Sequence, residues 1–155
     1  MQRPRTAILA ASLAAALAAP AYARLRQPPA LPELIGELDA EPEVLFVFHP
    51  GDCKLGADAI AAMNRVAARP GTRLRGVMLA PPVDPREADG LVRAFGIRFP
   101  VTFDRDGEWR AAVDEARIDF PAVLVSRAGR LVAVGDPHDP EPLYTLVANT
   151  LNGEV

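Results

Sequence analysis

The six residues EVLFVF, from Glu43 to Phe48, constrain this chain more than any other stretch. After Glu43 every position is apolar, with Val and Phe dominating. Alternation of apolar and polar residues marks a strand with one wet face; an unbroken apolar run marks a strand buried on both. Such a strand sits inside a sheet covered on each side, so the segments around it must supply the covers. With 155 residues, 50% of them hydrophobic, the chain can build one domain around a core of its own.

The covers are readable as apolar stripes at helical spacing. Leu31, Leu34, Ile35 and Leu38 form one stripe, with Pro32 in its first turn and Pro42 as its stop. After EVLFVF comes the stretch HPGDCKLG, His49 to Gly56. Ile60, Met63, Val66 and Ala67 then stripe a helix that RPG ends at Arg69 to Gly71. RLRGVMLA (Arg73 to Ala80) is a second strand, and Ala88, Leu91, Val92 and Phe95 stripe a helix closed by Gly96. FPVTFD (Phe99 to Asp104) is a third strand, turned by Asp106-Gly107. EWRAAVDEARI fits no one pattern and reads as irregular. FPAVLVS (Phe120 to Ser126) and RLVAVG (Arg130 to Gly135) are strands joined by a hairpin at RAG. Leu143, Leu146, Val147 and Leu151 stripe the last helix. Early alternation of strand and helix predicts parallel pairing, and the late hairpin adds antiparallel strands. The expected class is therefore α/β, a central mixed sheet flanked by helices.

The first residues follow another logic. Arg3 and Arg5 precede an apolar run of about a dozen residues, and AYA closes it at Ala21 to Ala23. This is the pattern of a secretory signal peptide over residues 1–23, too short for a membrane span of ~20 apolar residues. RLRQPPAL, residues 24–31, reads as a Pro-rich linker, and residues 32–155 as the folded domain. The mature chain is then expected in the periplasm or outside the cell, with no stable membrane span. A formal net charge of -3, with arginines scattered along the chain, argues against a nucleic-acid partner.

An oxidising compartment gives weight to the cysteine count, which is one. Cys53 has no intramolecular partner, so its thiol is unpaired. It follows a buried strand and precedes a helix, beside Lys54, the sole lysine of the chain. If the helix opens at Cys53, its N-terminal N–H groups and Lys54 favour thiolate over thiol. Asp52 is the expected N-cap of that helix and pulls the other way. The plain alternative for Cys53 is a small apolar filler, which the polar and turn-forming Gly51, Asp52 and Lys54 disfavour. His49 and His138 raise a further option, since a soft thiolate with imidazoles suits Cu(I). Solvated loop histidines are the commoner case, and no metal or cofactor is assigned.

Taken with the order of the elements, VLFVFHPGDCKLG resembles the first core strand and active-site loop of the thioredoxin-like superfamily, where the motif is Cys-x-x-Cys. Cys53 falls on the nucleophilic cysteine. FPAVLVSRAGRLVAVG resembles that superfamily's second signature, a cis-proline directly before a hairpin, which falls on Pro121. FGIRFPVTFDRDGEW is similar to the intervening segment of exported redoxins of the TlpA and peroxiredoxin-like kinds. The resemblance spans roughly residues 32–152. It implies a thioredoxin-like fold with Cys53, Lys54 and Pro121 as catalytic residues. His49, Asp52, Phe120 and Gly135 are expected to border the bound partner.

Three departures limit what the resemblance carries over. Gly56 stands where the second cysteine belongs, so no resolving thiol exists within the chain. Val47 stands where thioredoxins often bury an acid, and Asp52 replaces the aromatic residue before the nucleophile. Against peroxidase chemistry, Pro50 holds the position of a required Thr or Ser, and Arg117 has no place assignable from sequence. The matches and departures together imply an exported protein with a single redox thiol, exchanging disulfides with a partner protein or a small thiol. A degenerate binding domain on the same fold is the alternative, and a Cu(I)-handling domain a remoter one.

Overall fold

The computed structural model describes residues 31–36, 43–52, 54–80 and 84–152. The proposed signal peptide, nearly all of the linker and Cys53 itself lie outside the described residues, as does Leu38.

EVLFVF forms the central strand β1 (Glu43–Phe48), and every residue in it is buried. The other strands are β2 (Leu74–Met78), β3 (Val101–Phe103), β4 (Ala122–Arg127) and β5 (Arg130–Gly135), in the sheet order β3-β2-β1-β4-β5. β1, β2 and β3 run parallel, while β4 pairs antiparallel with both β1 and β5. The mixed sheet thus arises where the sequence changes from strand–helix alternation to a hairpin, whose turn places Ala128 and Gly129 at φ of 51° and 69°.

Residues of alternate parity on β1 serve opposite faces. Val44, Phe46 and Phe48 face a cluster built with Ile60, Met63 and Val66 of α2 (Ala57–Ala67) and Leu143 and Val147 of α5 (Pro140–Asn152). Leu91, Val92 and Phe95, from α3 (Pro85–Ala94) and its C-cap, close the same side. Leu45 and Val47 face the second cluster, with Leu34 and Ile35 of α1 (Leu31–Gly36) and Ala112 and Val113 of α4 (Glu108–Glu115). The result is three layers, helices over both faces of the sheet. Each fully buried Phe or Leu contributes about 1.5–3 kcal/mol relative to exposure.

Packing is tightest where three aromatics meet. Phe46 and Phe48 stack at 4.9 Å between centroids, and Phe99 meets Phe46 edge-on at 6.2 Å. Gly76 lies opposite Phe46 in the ladder, and a Cβ there would sit 3.0 Å from the Phe99 ring. The glycine makes room for the rings.

Two sequence expectations are corrected. EWRAAVDEARI is not irregular: residues 108–115 form α4, with Gly107 at φ 75° as its N-cap. The buried carboxylate of Asp104 accepts hydrogen bonds from the backbone N–H groups of Trp109 (3.1 Å) and Arg110 (2.9 Å), two of the donors a helix start leaves orphaned. The start signal is a residue upstream of the helix, which an apolar stripe does not reveal. The second correction is the start of α2. It begins at Ala57, not Cys53, and its N-cap is Gly56, not Asp52.

Candidate functional site

β1 delivers the chain to the site. Phe48 O accepts the N–H of Leu79 at 2.9 Å, and beyond it the chain leaves the sheet. From His49 to Gly56 the described backbone is a succession of tight turns. Asp52 N–H donates to His49 O (3.0 Å), Leu55 N–H to Asp52 O (3.0 Å), and Gly56 N–H to Lys54 O (2.9 Å). Two side chains lock them. His49 Nδ1 accepts from Gly51 N–H at 3.0 Å, and Asp52 Oδ1 accepts from Lys54 N–H at 2.8 Å. The second bond is why Asp52 caps no helix: its carboxylate serves a local Asx-turn instead. With α2 starting at Ala57, Lys54 lies before its first turn, and dipole effects fall off within about one turn. The helix start therefore lies further along the chain than the sequence reading of a helix opening at Cys53 expects.

The facing wall comes from α4 and β4. α4 ends in a Schellman arrangement, with Ile118 N–H donating to Val113 O and Arg117 N–H to Asp114 O, both at 3.1 Å. Arg117 occupies the left-handed position at φ 55°, where glycine is usual. This swings residues 117–120 out of the helix and toward β4. The Arg110 guanidinium lies 4.8 Å from the centroid of the Phe120 ring while its Nε bonds Asp114 Oδ2 at 2.9 Å, fixing the half-buried Phe120. The Phe120–Pro121 peptide is cis, and Pro121 is buried at the entry to β4.

Between these walls runs a groove of about 580 Å³. Lys54 borders it on the loop side, Arg117, Phe120 and Pro121 on the other, and Gly135 and His138 at the far end. Lys54, Arg117 and His138 are all exposed. Gly135 admits close packing here: a Cβ on it would meet Leu143 Cδ1 of α5 at 3.2 Å. His138 is presented by an Asx-turn, its N–H donating to Asp136 Oδ1 at 2.8 Å.

The structure thus gathers Lys54, Phe120, Pro121 and Gly135, four of the residues singled out from sequence, on one groove. His49 and Asp52 do not line it; they shape the loop that carries Lys54. Cys53 belongs to the undescribed residues, though the residues on either side of it are placed. Arg117, which sequence alone could not place, lies in the groove, and its signal is a basic residue shortly before Phe120-Pro121. Val47 is wholly buried, so no carboxylate lies beneath the loop at that position. Among the described residues no group of three or more His, Cys, Asp or Glu side chains is arranged to hold a metal. No described helix is long and apolar enough to cross a membrane.

No protein-family model matches the chain, and no curated protein matches it. Solved structures do. The fold is similar to that of a secreted Mycobacterium tuberculosis disulfide oxidoreductase homologous to E. coli DsbE, at 22% identity and a TM-score of 0.52, over 72% of this chain and 83% of that one. A thioredoxin-like protein from Porphyromonas gingivalis matches at 20% identity and 0.53, over 76% and 77% of the two chains. The thioredoxin domain of a thiol-disulfide oxidoreductase from Bacteroides vulgatus matches at 13% and 0.50, over 70% and 80%. The fold of this chain is thioredoxin-like.

Proposed function

We propose that this chain is an exported thiol-disulfide exchange protein working with one thiol, Cys53, and a resolving thiol from outside. The observation that carries the reading is the shared groove, with the loop flanking Cys53 on one wall and Phe120–Pro121 on the other. The Cys53 thiolate attacks one sulfur of a partner's disulfide. A new S–S bond forms to that sulfur, the partner's own S–S bond breaks, and the second sulfur leaves as thiolate. An external thiolate then attacks the mixed disulfide, joins the partner's sulfur and returns Cys53 as thiolate. Lys54 and Arg117 line the groove beside the carboxylates of Asp119 and Asp136, so the groove has no excess of formal positive charge, and any help to the thiolate comes from a cation lying close to the sulfur. The backbone beside the cis Phe120–Pro121 peptide, at the entry to β4, holds the incoming group, which belongs to a partner protein or a small thiol.

The test is the rate of Cys53 alkylation against pH. The proposal expects a mid-point below ~8.5, the value of an unperturbed thiol, and mixed disulfides trapped with the wild-type chain but not with Cys53→Ser. A thiol that titrates at or above that value and traps nothing overturns it.

Gly56 and the buried Val47 favour a second reading, a thioredoxin-fold domain that binds through the same groove without exchange. Under it, Cys53→Ser leaves the biological role intact.

A further inference from the structure

The two edges of the sheet differ in kind. β3 is three residues long and runs into Asp104, Arg105 and Asp106, the short and charged form that keeps an edge from pairing. β5 is six residues long and carries no charged side chain after Arg130. It pairs with β4 on one side and with no described strand on the other.

Exposed apolar side chains single out the same strand. Leu131 is 36% exposed, Val132 36% and Val134 50%, and these three are the exposed large apolar residues among all those described. Val132 is also the extra residue of a bulge. Leu131 opposes Ser126 and Ala133 opposes Val125, so Val132 has no partner across on β4. An apolar edge of this length presents a row of unpaired N–H and C=O groups and is a template for another strand.

The charges at its two ends say which strand fits. The start of β5 carries two guanidinium groups, because Arg130 opposes Arg127 across the hairpin. Just past its end stand two exposed carboxylates, Asp136 and Asp139, with His138 between them. Asp136 accepts the His138 N–H on Oδ1 (2.8 Å), which leaves Oδ2 for a donor from outside. A second copy laid antiparallel brings its arginines to these carboxylates and its carboxylates to these arginines. Val132 and Val134 of one copy then lie beside those of the other. A parallel copy would set like charge on like at both ends. The antiparallel pair is closed by a two-fold axis and uses both edges, so assembly stops at two.

We propose that β5 is a docking strand for a second copy of this chain. The two β5 strands pair antiparallel into one continuous sheet, with the valines between them and Arg130 of each copy meeting Asp136 of the other. The pairing involves no chemistry at Cys53 and stands whether or not that thiol exchanges.

Analytical ultracentrifugation tests it, with reductant present so that no Cys53 disulfide links two copies. A monomer–dimer equilibrium is expected, and hydrogen exchange at the β5 amides should slow as concentration rises. Val132→Lys should weaken dimerisation at least tenfold, since it sets two ammonium groups where two apolar side chains meet. Its far-UV circular dichroism should match that of the wild type. Arg130→Glu and Asp136→Arg should each weaken dimerisation about tenfold, because each dimer then holds two like-charged pairs. An equimolar mixture of these two variants should recover dimers, since both end pairs are again opposite in charge. This mixture decides the matter even should Val132→Lys fail to fold. A chain that stays monomeric at every concentration overturns the proposal, and slow β5 exchange in that monomer would assign the edge to another segment of the same chain. So does a dimer that a folded Val132→Lys leaves intact, or a mixture that dimerises no better than either variant alone.

Discussion

The two walls of the groove are held by different kinds of bond. On the wall of Arg117 to Pro121, the ties reach into the rest of the fold. Asp104 fixes the start of α4, Arg110 covers Phe120, and beyond Pro121 the chain pairs at once with β1 through Ala122↔Val47. On the wall of His49 to Gly56, every described hydrogen bond joins residues two to four positions apart. Leu55, packed partly against the core, is the main side-chain anchor there. A wall fastened by local turns can change its residues without loosening the sheet. The departure from the two-cysteine pattern, Gly56, falls on that wall, while the match at Phe120-Pro121 falls on the wall built into the fold. A glycine rather than a cysteine at position 56 is therefore compatible with this scaffold.

The most damaging way to break the contrast is to cut a tie of the fold-bound wall. Asp104→Ala leaves the Trp109 and Arg110 N–H groups without their acceptor at a buried site. The expected loss is about 1–2 kcal/mol, the upper range for a helix cap, read as a lower urea midpoint with unchanged slope. Asp104→Asn keeps one acceptor oxygen and should recover part of it. Because α4 aims Arg117 and Phe120, mixed-disulfide formation should slow in Asp104→Ala even under conditions where the protein stays folded. Stability equal to wild type would mean that α4 is held by its packing on Leu45 and Val47 alone.

A subtler change separates stability from function on the same wall. Arg117 sits at φ 55°, where a side chain costs about 1–2 kcal/mol relative to glycine. Arg117→Gly should therefore raise stability by about 1 kcal/mol and at the same time remove a cation from the groove. Slower capture of an acidic peptide disulfide, with a higher urea midpoint, is the expected pair of results. Unchanged capture would reduce Arg117 to a helix-end residue.

How far the sequence reveals these walls depends on the range of the forces that make them. β1 was legible because its whole signal lies in six adjacent residues, five of them apolar. The helices α2, α3 and α5 were legible because their buried stripes repeat at helical spacing. α4 was not. Its buried residues are few, Ala112 and Val113, and its start depends on a carboxylate outside the element. The start of α2 was misplaced for a related reason. Asp52 has the right chemistry for an N-cap, but a turn two residues away competes for the same oxygen and wins. The placing of Lys54 and Arg117 on one groove lies beyond any local signal, since it exists only once β4 has docked beside β1.

The smallest structural perturbation tests the locally held wall, and it carries the largest chemical consequence. Gly56 has φ -82° and ψ 161°, a conformation open to any L-residue. A Cβ built on it meets only Asp58 N, at 3.9 Å, an ordinary contact. Gly56→Cys should therefore change stability by less than about 1 kcal/mol, since only the quality of the N-cap is altered. It places a second thiol three residues after Cys53, at the start of α2, where helix N–H groups favour thiolate. If the scaffold retains working geometry, the variant is expected to gain dithiol reductase activity toward insulin disulfides, with the wild type expected to show none without an added thiol. Val47, with no acid beneath the loop to move protons, should keep that gain modest, and Val47→Asp in the same background would test this at a cost in core stability. A folded Gly56→Cys chain with no reductase activity would mean that the loop, free to vary, has also moved away from the geometry the chemistry needs. That outcome would leave binding, rather than exchange, as the role of the groove.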